Sequence, residues 1–278
     1  MLADKALKLL RDMLYPKFGD FALSQSEQIL EYFLECSRSE LYLNASKKKL
    51  DSNLFSRLEQ IARRMILTDE PLGYILGTVY FYSREFNISK NVLIPRPDTE
   101  MLIEEILANE TGSTCQFVDI GTGSGIIACI LKESHPEWNA FGIDISYDAL
   151  RVATKNSSEK INFLCGNIFS SLKVNNFFDF IVSNPPYISQ KEFDSLDNSV
   201  RCHEPFCALY GGKDGLEFYH RLASESKSRL RENGRIYCEI GYDQKYSVTS
   251  IFEQNGWSDI TIKYDIGKNP RVIRAVLK

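Results

Sequence analysis

The apolar positions of this chain follow two rhythms. Up to about residue 75 they recur every three or four residues. Leu54, Leu58, Ile61, Met65 and Ile66 share one helical face, with Asp51 or Ser52 placed to cap it. Ile29, Leu30, Phe33 and Leu34 follow Ser24-Gln25-Ser26-Glu27, which reads as a capping box. Residues 2–15 predict a further helix that stops before Pro16. Residues 1–75 therefore read as a small helical bundle. Residues 79–88, rich in aromatic and β-branched side chains, predict one or two strands in a hairpin linker over 76–95, followed by an extended run at Pro95 and Pro97. After Asp98 the rhythm alternates between strand and helix. Strands are predicted at 117–120, 140–143, 161–164, 178–182 and 235–240, and helices at 126–132, 147–156, 216–231 and 246–254. Strands 260–263 and 272–276 close the chain as a hairpin. Such alternation over 96–278 predicts an α/β domain, a doubly wound and mostly parallel sheet with helices on both faces.

Charge narrows the function. The 278 residues carry 33 Lys and Arg against 37 Asp and Glu, a net charge of −4, and residues 1–75 hold 11 of each sign. That argues against affinity built from positive charge spread along a phosphate backbone. Lys47-Lys48-Lys49 is the one charge run and reads as a solvated turn. Asp4, Lys5, Lys8, Arg11 and Asp12 interrupt the start, so no signal peptide is expected. The longest uncharged stretch, residues 71–83, falls short of the about 20 apolar residues of a membrane span. Seven cysteines, an odd number without a CxxC pair, suit a reducing cytoplasm. Cys202 and Cys207 beside His203 match no common zinc spacing, and no metal is expected.

The candidate chemistry begins at Asp119-Ile120-Gly121-Thr122-Gly123-Ser124-Gly125, where a first strand meets a first helix. Glycines there allow a tight turn and a close ligand. A dinucleotide fingerprint would need glycine at 126, where Ile126 stands. Asp119 would repel a pyrophosphate. Asp144 ends the second strand about 20 residues on, where an acid can accept both hydroxyls of a ribose. The combination resembles S-adenosylmethionine-dependent methyltransferases, whose cofactor has a sulfonium, an amino acid head and a ribose but no phosphate.

Asn184-Pro185-Pro186-Tyr187 ends the fourth strand. Methylating an sp² nitrogen is hard because its lone pair is delocalised. The Asn184 side-chain oxygen and the Pro185 carbonyl can each accept one N–H of such a nitrogen, turn its lone pair toward the methyl carbon and stabilise the growing charge. Pro186 stiffens the turn, and Tyr187 can pack on a flat amide or base. The tetrapeptide specifies a planar nitrogen, whether an exocyclic base amine or a glutamine amide.

The whole chain resembles the release factor glutamine N5-methyltransferases, the PrmC/HemK family. The resemblance rests on Ile94-Pro95-Arg96-Pro97-Asp98-Thr99-Glu100, the 119–125 turn, Asp144, residues 182–188, Glu204-Pro205, residues 211–215 and Asp265 with Arg271-Val272. It implies a Rossmann-like class I methyltransferase sheet, with S-adenosylmethionine as cofactor and S-adenosylhomocysteine as product. It implies as substrate the glutamine of the Gly-Gly-Gln tip of class I peptide chain release factors, gripped by the helical domain. Asn184, Pro185 and Tyr187 would be catalytic, and Pro186 would join them in holding the substrate. Asp119, Gly121, Thr122, Gly123, Ser124, Gly125, Asp144, Asn167, Ile168 and Asn184 would line the cofactor. Asn167 stands where the family usually has an acid, and Ile168 where some members have an aromatic ring. Arg96 and Glu100 would belong to a cover over the site. A monomeric, cytoplasmic protein without nucleic-acid or membrane partners is expected. The alternative is a DNA or RNA amino-methyltransferase, disfavoured by the neutral first domain.

Overall fold

The computed structural model describes residues 1–173 and 175–278. The chain divides into two compact units, Met1–Gly77 and Thr78–Lys278.

The first unit is helical: α1 (Ala3–Phe18), α2 (Phe21–Leu34), α3 (Arg38–Asn44), α4 (Ser52–Thr68) and α5 (Leu72–Leu76). Its core gathers Ala6, Leu10, Leu14, Ile29, Leu30, Leu58 and Met65. Asp51 caps α4 through Oδ1, which accepts from the Leu54 N–H at 2.6 Å. Two local expectations fail. Helix α1 runs through Pro16, because a proline in the last turn removes only one hydrogen bond near a fraying end. Helix α2 starts ahead of Ser24, so Ser24-Gln25-Ser26-Glu27 is helix interior: the buried Ser26 hydroxyl donates to the Ala22 carbonyl at 2.7 Å. The capping box lies instead at Ser37 and Glu40, opening α3.

The second unit opens with the hairpin β1 (Thr78–Phe81) and β2 (Arg84–Asn87). The hairpin packs as part of this unit. Phe81 and Phe86 are buried in its core, and the Tyr82 N–H donates to Glu100 Oε1 at 3.1 Å. There follow α6 (Thr99–Asn109), β3 (Gln116–Ile120), α7 (Ile126–Ser134), β4 (Asn139–Asp144), α8 (Tyr147–Asn156), β5 (Ile161–Cys165) and β6 (Phe178–Ser183). Three short helices come next, α9 (Gln190–Asp194), α10 (Asn198–Arg201) and α11 (Phe206–Leu209). Then come α12 (Glu217–Glu225), β7 (Leu230–Glu239), α13 (Lys245–Gln254), β8 (Trp257–Tyr264) and β9 (Pro270–Leu277).

The seven-stranded sheet has the order β5-β4-β3-β6-β7-β9-β8, parallel except where β9 runs against both neighbours. Alternate side chains build two cores, as the pleat requires. Val118, Ile181, Ile236 and Cys238 meet Tyr219 and Leu222 of α12 and Phe252 of α13 on one face. Phe117, Phe180 and Tyr237 meet Leu102 and Ile106 of α6 and Ile127 and Leu131 of α7 on the other. The helix predicted over 216–231 is cut short. A 3₁₀ turn covers Ser226–Ser228, and the chain enters β7 at Leu230, which pairs with Phe178. From β3 the chain winds outward through β4 and β5, then returns to β6 on the other side of β3. Such a reversal opens a crevice at the carboxyl ends of β3 and β6, where Ile120 pairs with Ser183.

Candidate active site

A cavity of about 370 Å³ fills that crevice. Gly121, Thr122, Gly123 and Ser124 form one wall, Asp144 and Ile145 the end of β4, Asn167 and Ile168 the floor beyond β5, and Asn184, Pro185 and Pro186 the end of β6. Pro95, Thr99, Phe206 and Tyr210 complete the lining.

Gly121 (φ +72°) and Gly123 (φ +54°) take left-handed backbone, and a Cβ built on Gly121 would meet nothing within 4 Å. This empty cradle is where a ligand backbone can approach. Gly125 does something else. Its Cβ would lie 2.8 Å from Cβ of Ala153, so this glycine lets α8 pack against the turn and is absent from the cavity wall.

Asp119 is also outside the wall. It is wholly buried, its Oδ2 accepts from the Thr122 hydroxyl at 2.6 Å, and its Oδ1 has no partner among the described residues. Burial, opposed by that hydroxyl and helped by the charge of Asp144, pushes its carboxyl up to about 7. Asp144 does reach the cavity. Its two oxygens accept the backbone N–H groups of Gly123 and Ser146, both at 2.8 Å, so it braces the glycine turn while facing the space. Burial raises its pKa against those hydrogen bonds.

Asn167 lines the floor, but its Oδ1 already accepts from Arg221 Nη1 at 2.8 Å. Ile168 is buried with φ +53°, a strained state for a β-branched residue, and strain of this kind gathers at ligand sites. The cradle, the apolar walls of Ile120, Ile143 and Ile168, and one carboxylate at the end of β4 together fit a nucleoside bearing an amino acid arm and no phosphate.

At the end of β6 the Asn184 Nδ2 donates to the Thr99 hydroxyl at 3.2 Å, and that hydroxyl donates to Glu239 Oε2 at 2.7 Å. Among the described residues nothing donates to Asn184 Oδ1 or to the Pro185 carbonyl. Tyr187 is turned away from the wall. Its ring packs into the core of the α12 face, and its hydroxyl donates to Glu239 Oε1 at 3.3 Å. Burial and the neighbouring Glu239 charge raise its pKa.

Residues 209–215 clamp this turn. A Cβ on Gly211 would lie 2.6 Å from the Pro186 carbonyl oxygen, and one on Gly215 2.3 Å from that of Tyr187. Gln244 donates to the same Tyr187 carbonyl at 2.9 Å. Sequence reasoning singled out neither Gln244 nor Glu239. Their only signal was position, at and just beyond the end of a strand whose carboxyl edge carries the site.

Two carbonyl-type acceptors at the rim of a nucleoside-shaped crevice, on this strand order, define a class I S-adenosylmethionine-dependent methyltransferase. Residues 96–201 match the methyltransferase small domain, and residues 6–77 the PrmC N-terminal domain. The chain is 34% identical to the release factor glutamine methyltransferase of Thermodesulfovibrio yellowstonii, over 97% of both chains. The enzyme of the same name from Buchnera aphidicola is 35% identical, over 96% of this chain and 95% of that one. The chain belongs to the release factor glutamine methyltransferase family. Among solved structures, a methyltransferase from Pyrococcus furiosus shares the fold, with a TM-score of 0.54 at 16% identity over 80% of this chain and 98% of that one. So does the hMettl16 catalytic domain crystallised with an RNA hairpin, with a TM-score of 0.54 at 17% identity over 94% and 92%.

Proposed function

We propose that this protein transfers a methyl group from S-adenosylmethionine to the side-chain amide nitrogen, N5, of the glutamine in the Gly-Gly-Gln motif of class I peptide chain release factors. One observation carries the reading: Asn184 Oδ1 and the Pro185 carbonyl, on consecutive residues of a clamped turn that lines the cavity, accept no hydrogen bond from the described residues. They match the two N–H groups of a primary amide. Gly121, Thr122, Gly123, Ser124, Asp144, Asn167 and Ile168 would hold the cofactor. S-adenosylmethionine, when bound, supplies a methyl group already activated by its sulfonium.

The residues then do three things. Asn184 Oδ1 and Pro185 O accept the amide protons and hold the nitrogen in one orientation, which removes rotational freedom from the encounter. They draw density onto nitrogen and stabilise the positive charge that develops there. Apolar lining by Ile120, Ile143, Ile168 and Pro186 lowers the local polarity around both bonds, which strengthens them. No strong base is needed before attack, and the departing proton stays hydrogen-bonded to Asn184 Oδ1 or Pro185 O until water takes it. Tyr187 supports the turn from behind, in place of the substrate contact expected for it.

The helical unit is proposed to grip the release factor, in keeping with its match to the PrmC N-terminal domain. No helix among the described residues is long and apolar enough to cross a membrane. A release factor as substrate is what supports a cytoplasmic location.

The test is peptide mass spectrometry of a bacterial class I release factor incubated with the protein and S-adenosylmethionine, with a Gln→Ala factor as control. One added methyl on the Gly-Gly-Gln glutamine alone is expected. No methyl there, with cofactor bound, would redirect the reading to base amines or another protein amide.

A further inference from the structure

Glu239 is a buried carboxylate with no part in the chemistry above, yet it is two hydrogen bonds away from the substrate acceptor. It ends β7 at 2% exposure. Its Oε2 accepts the Thr99 hydroxyl, and the Thr99 oxygen accepts Nδ2 of Asn184. A threonine hydroxyl has one proton. While that proton is committed to a carboxylate, the oxygen can only accept, so Asn184 must offer its NH₂ group. Its Oδ1 is then left for the cavity. The two ends of an amide are nearly the same size, so shape alone does not choose between the orientations.

We propose that Glu239 is a positioning residue, which acts through Thr99 to turn the Asn184 amide with its oxygen toward the substrate nitrogen. The proposal rests on the reading in which that oxygen accepts from the substrate amide. It assigns a purpose to the threonine of the 94–100 segment, which otherwise serves only as the first residue of α6.

The groups facing Glu239 come from four parts of the chain. Asp98 precedes α6, Arg271 lies on β9 and pairs with Asp98 at 3.2 Å and with Asp265 at 2.9 Å, and Tyr187 follows β6. The Tyr219 hydroxyl of α12 donates to the Glu239 backbone carbonyl at 2.9 Å, and Arg96 lies near Tyr187 in the segment before α6. Burial outweighs the lowering by the Thr99 and Tyr187 hydroxyls and the Arg271 charge, with Asp98 adding to it, and the carboxyl is pushed up to about 7. Once protonated, Glu239 can donate to Thr99. The Thr99 proton is then free to bond Asn184 Oδ1, and the amide turns its NH₂ group to the cavity. Turnover therefore falls as pH drops through about 7.

The experiment measures kcat against pH for release-factor methylation by the wild type, Thr99→Val, Thr99→Ser, Glu239→Gln and, as control for the other carboxyl raised to about 7, Asp119→Asn. Cofactor affinity is measured by calorimetry on each. Side-chain amide ¹H–¹⁵N signals of Asn184, assigned through Asn184→Asp, are followed over the same range in cofactor-free protein. Thr99→Val is expected to lower kcat about tenfold or more while cofactor Kd stays within about threefold, and Thr99→Ser to restore most of it. The acid limb should vanish in Glu239→Gln and persist in Asp119→Asn. The Asn184 amide signals should move with a midpoint near 7 in the wild type and stay still in Thr99→Val. Wild-type kcat in Thr99→Val, or an Asn184 amide that ignores pH, overturns the proposal. A wild type that leaves the release factor unmethylated overturns the substrate reading instead, and the amide titration still decides the relay.

Discussion

Arg96 and Glu204 meet at 2.6 Å across 108 residues of chain, Nη2 donating to Oε1, and tie the segment before α6 to the segment leading into α11, both of which contribute neighbours, Pro95 and Phe206, to the cavity lining. The Glu204 side chain is 1% exposed and Arg96 36%. Removing a partner from a fully buried pair costs about 3–5 kcal/mol. Because Arg96 is partly in water, Arg96→Met is expected to destabilise the second unit by about 2 kcal/mol. Denaturant unfolding checks this, and a change within error would show that the pair does not hold the two segments together.

Asn184→Ala removes one of the two amide acceptors and leaves the cradle untouched. We expect kcat to fall about 100-fold or more, the scale of a lost charge-stabilising group, with cofactor Kd changed only a few-fold. Single-turnover methylation with calorimetry separates the two effects. Near-wild-type turnover would defeat the role given to Asn184.

Asp144→Ala acts on the cofactor. It removes the carboxylate facing the cavity and the acceptor for the N–H groups of Gly123 and Ser146. Affinity should weaken by about 1.5–3 kcal/mol, the worth of hydrogen bonds to a charged group. An unchanged dissociation constant would take Asp144 out of the site.

Gly121 and Gly125 should fail in different ways when changed to alanine. In Gly125→Ala the new methyl group meets Ala153 at 2.8 Å, so stability should drop by about 1–3 kcal/mol. In Gly121→Ala the methyl enters open space, so the stability cost is only the about 1 kcal/mol of an alanine held at φ +72°, while cofactor affinity should suffer more than in Gly125→Ala. Paired melting and binding measurements distinguish them, and equal loss of stability in both variants would contradict the assignment.

Stability should fall as pH rises from about 4 to about 7. Asp119 and Glu239 are each raised to about 7 in the fold, so over that range the folded chain binds more protons than the unfolded one. Stability then decreases until both are ionised and is flat above. Asp119→Asn should flatten the slope, and unfolding midpoints across that range in wild type and variant measure it. A stability that rises between those limits in the wild type would refute the assignment.

The glycine turn, Asp144 and Asn184-Pro185-Pro186 were legible because each is a local pattern at the end of a strand, and strand ends show in the apolar rhythm. Helices α9, α10 and α11 were not, since four or five residues hold no period to read. Asp119, Gly125 and Tyr187 carry the right letters in the right motifs, yet the structure faces them inward. Asp119 braces Thr122, Gly125 admits α8, and Tyr187 holds Glu239.

The sequence by itself determined the two-part organisation, the alternation that makes a parallel sheet, the family and the chemistry of the reacting nitrogen. These follow from periodicity and from motifs whose members are neighbours in the chain. Only the tertiary structure decided which motif residues reach the cavity. Only it brought Glu239 to Thr99 across 140 residues, Thr99 to Asn184 across 85, and Glu204 to Arg96. A side chain's facing depends on the register of strands far apart in sequence, and a hydrogen bond's direction depends on the protonation of a group that only folding buries.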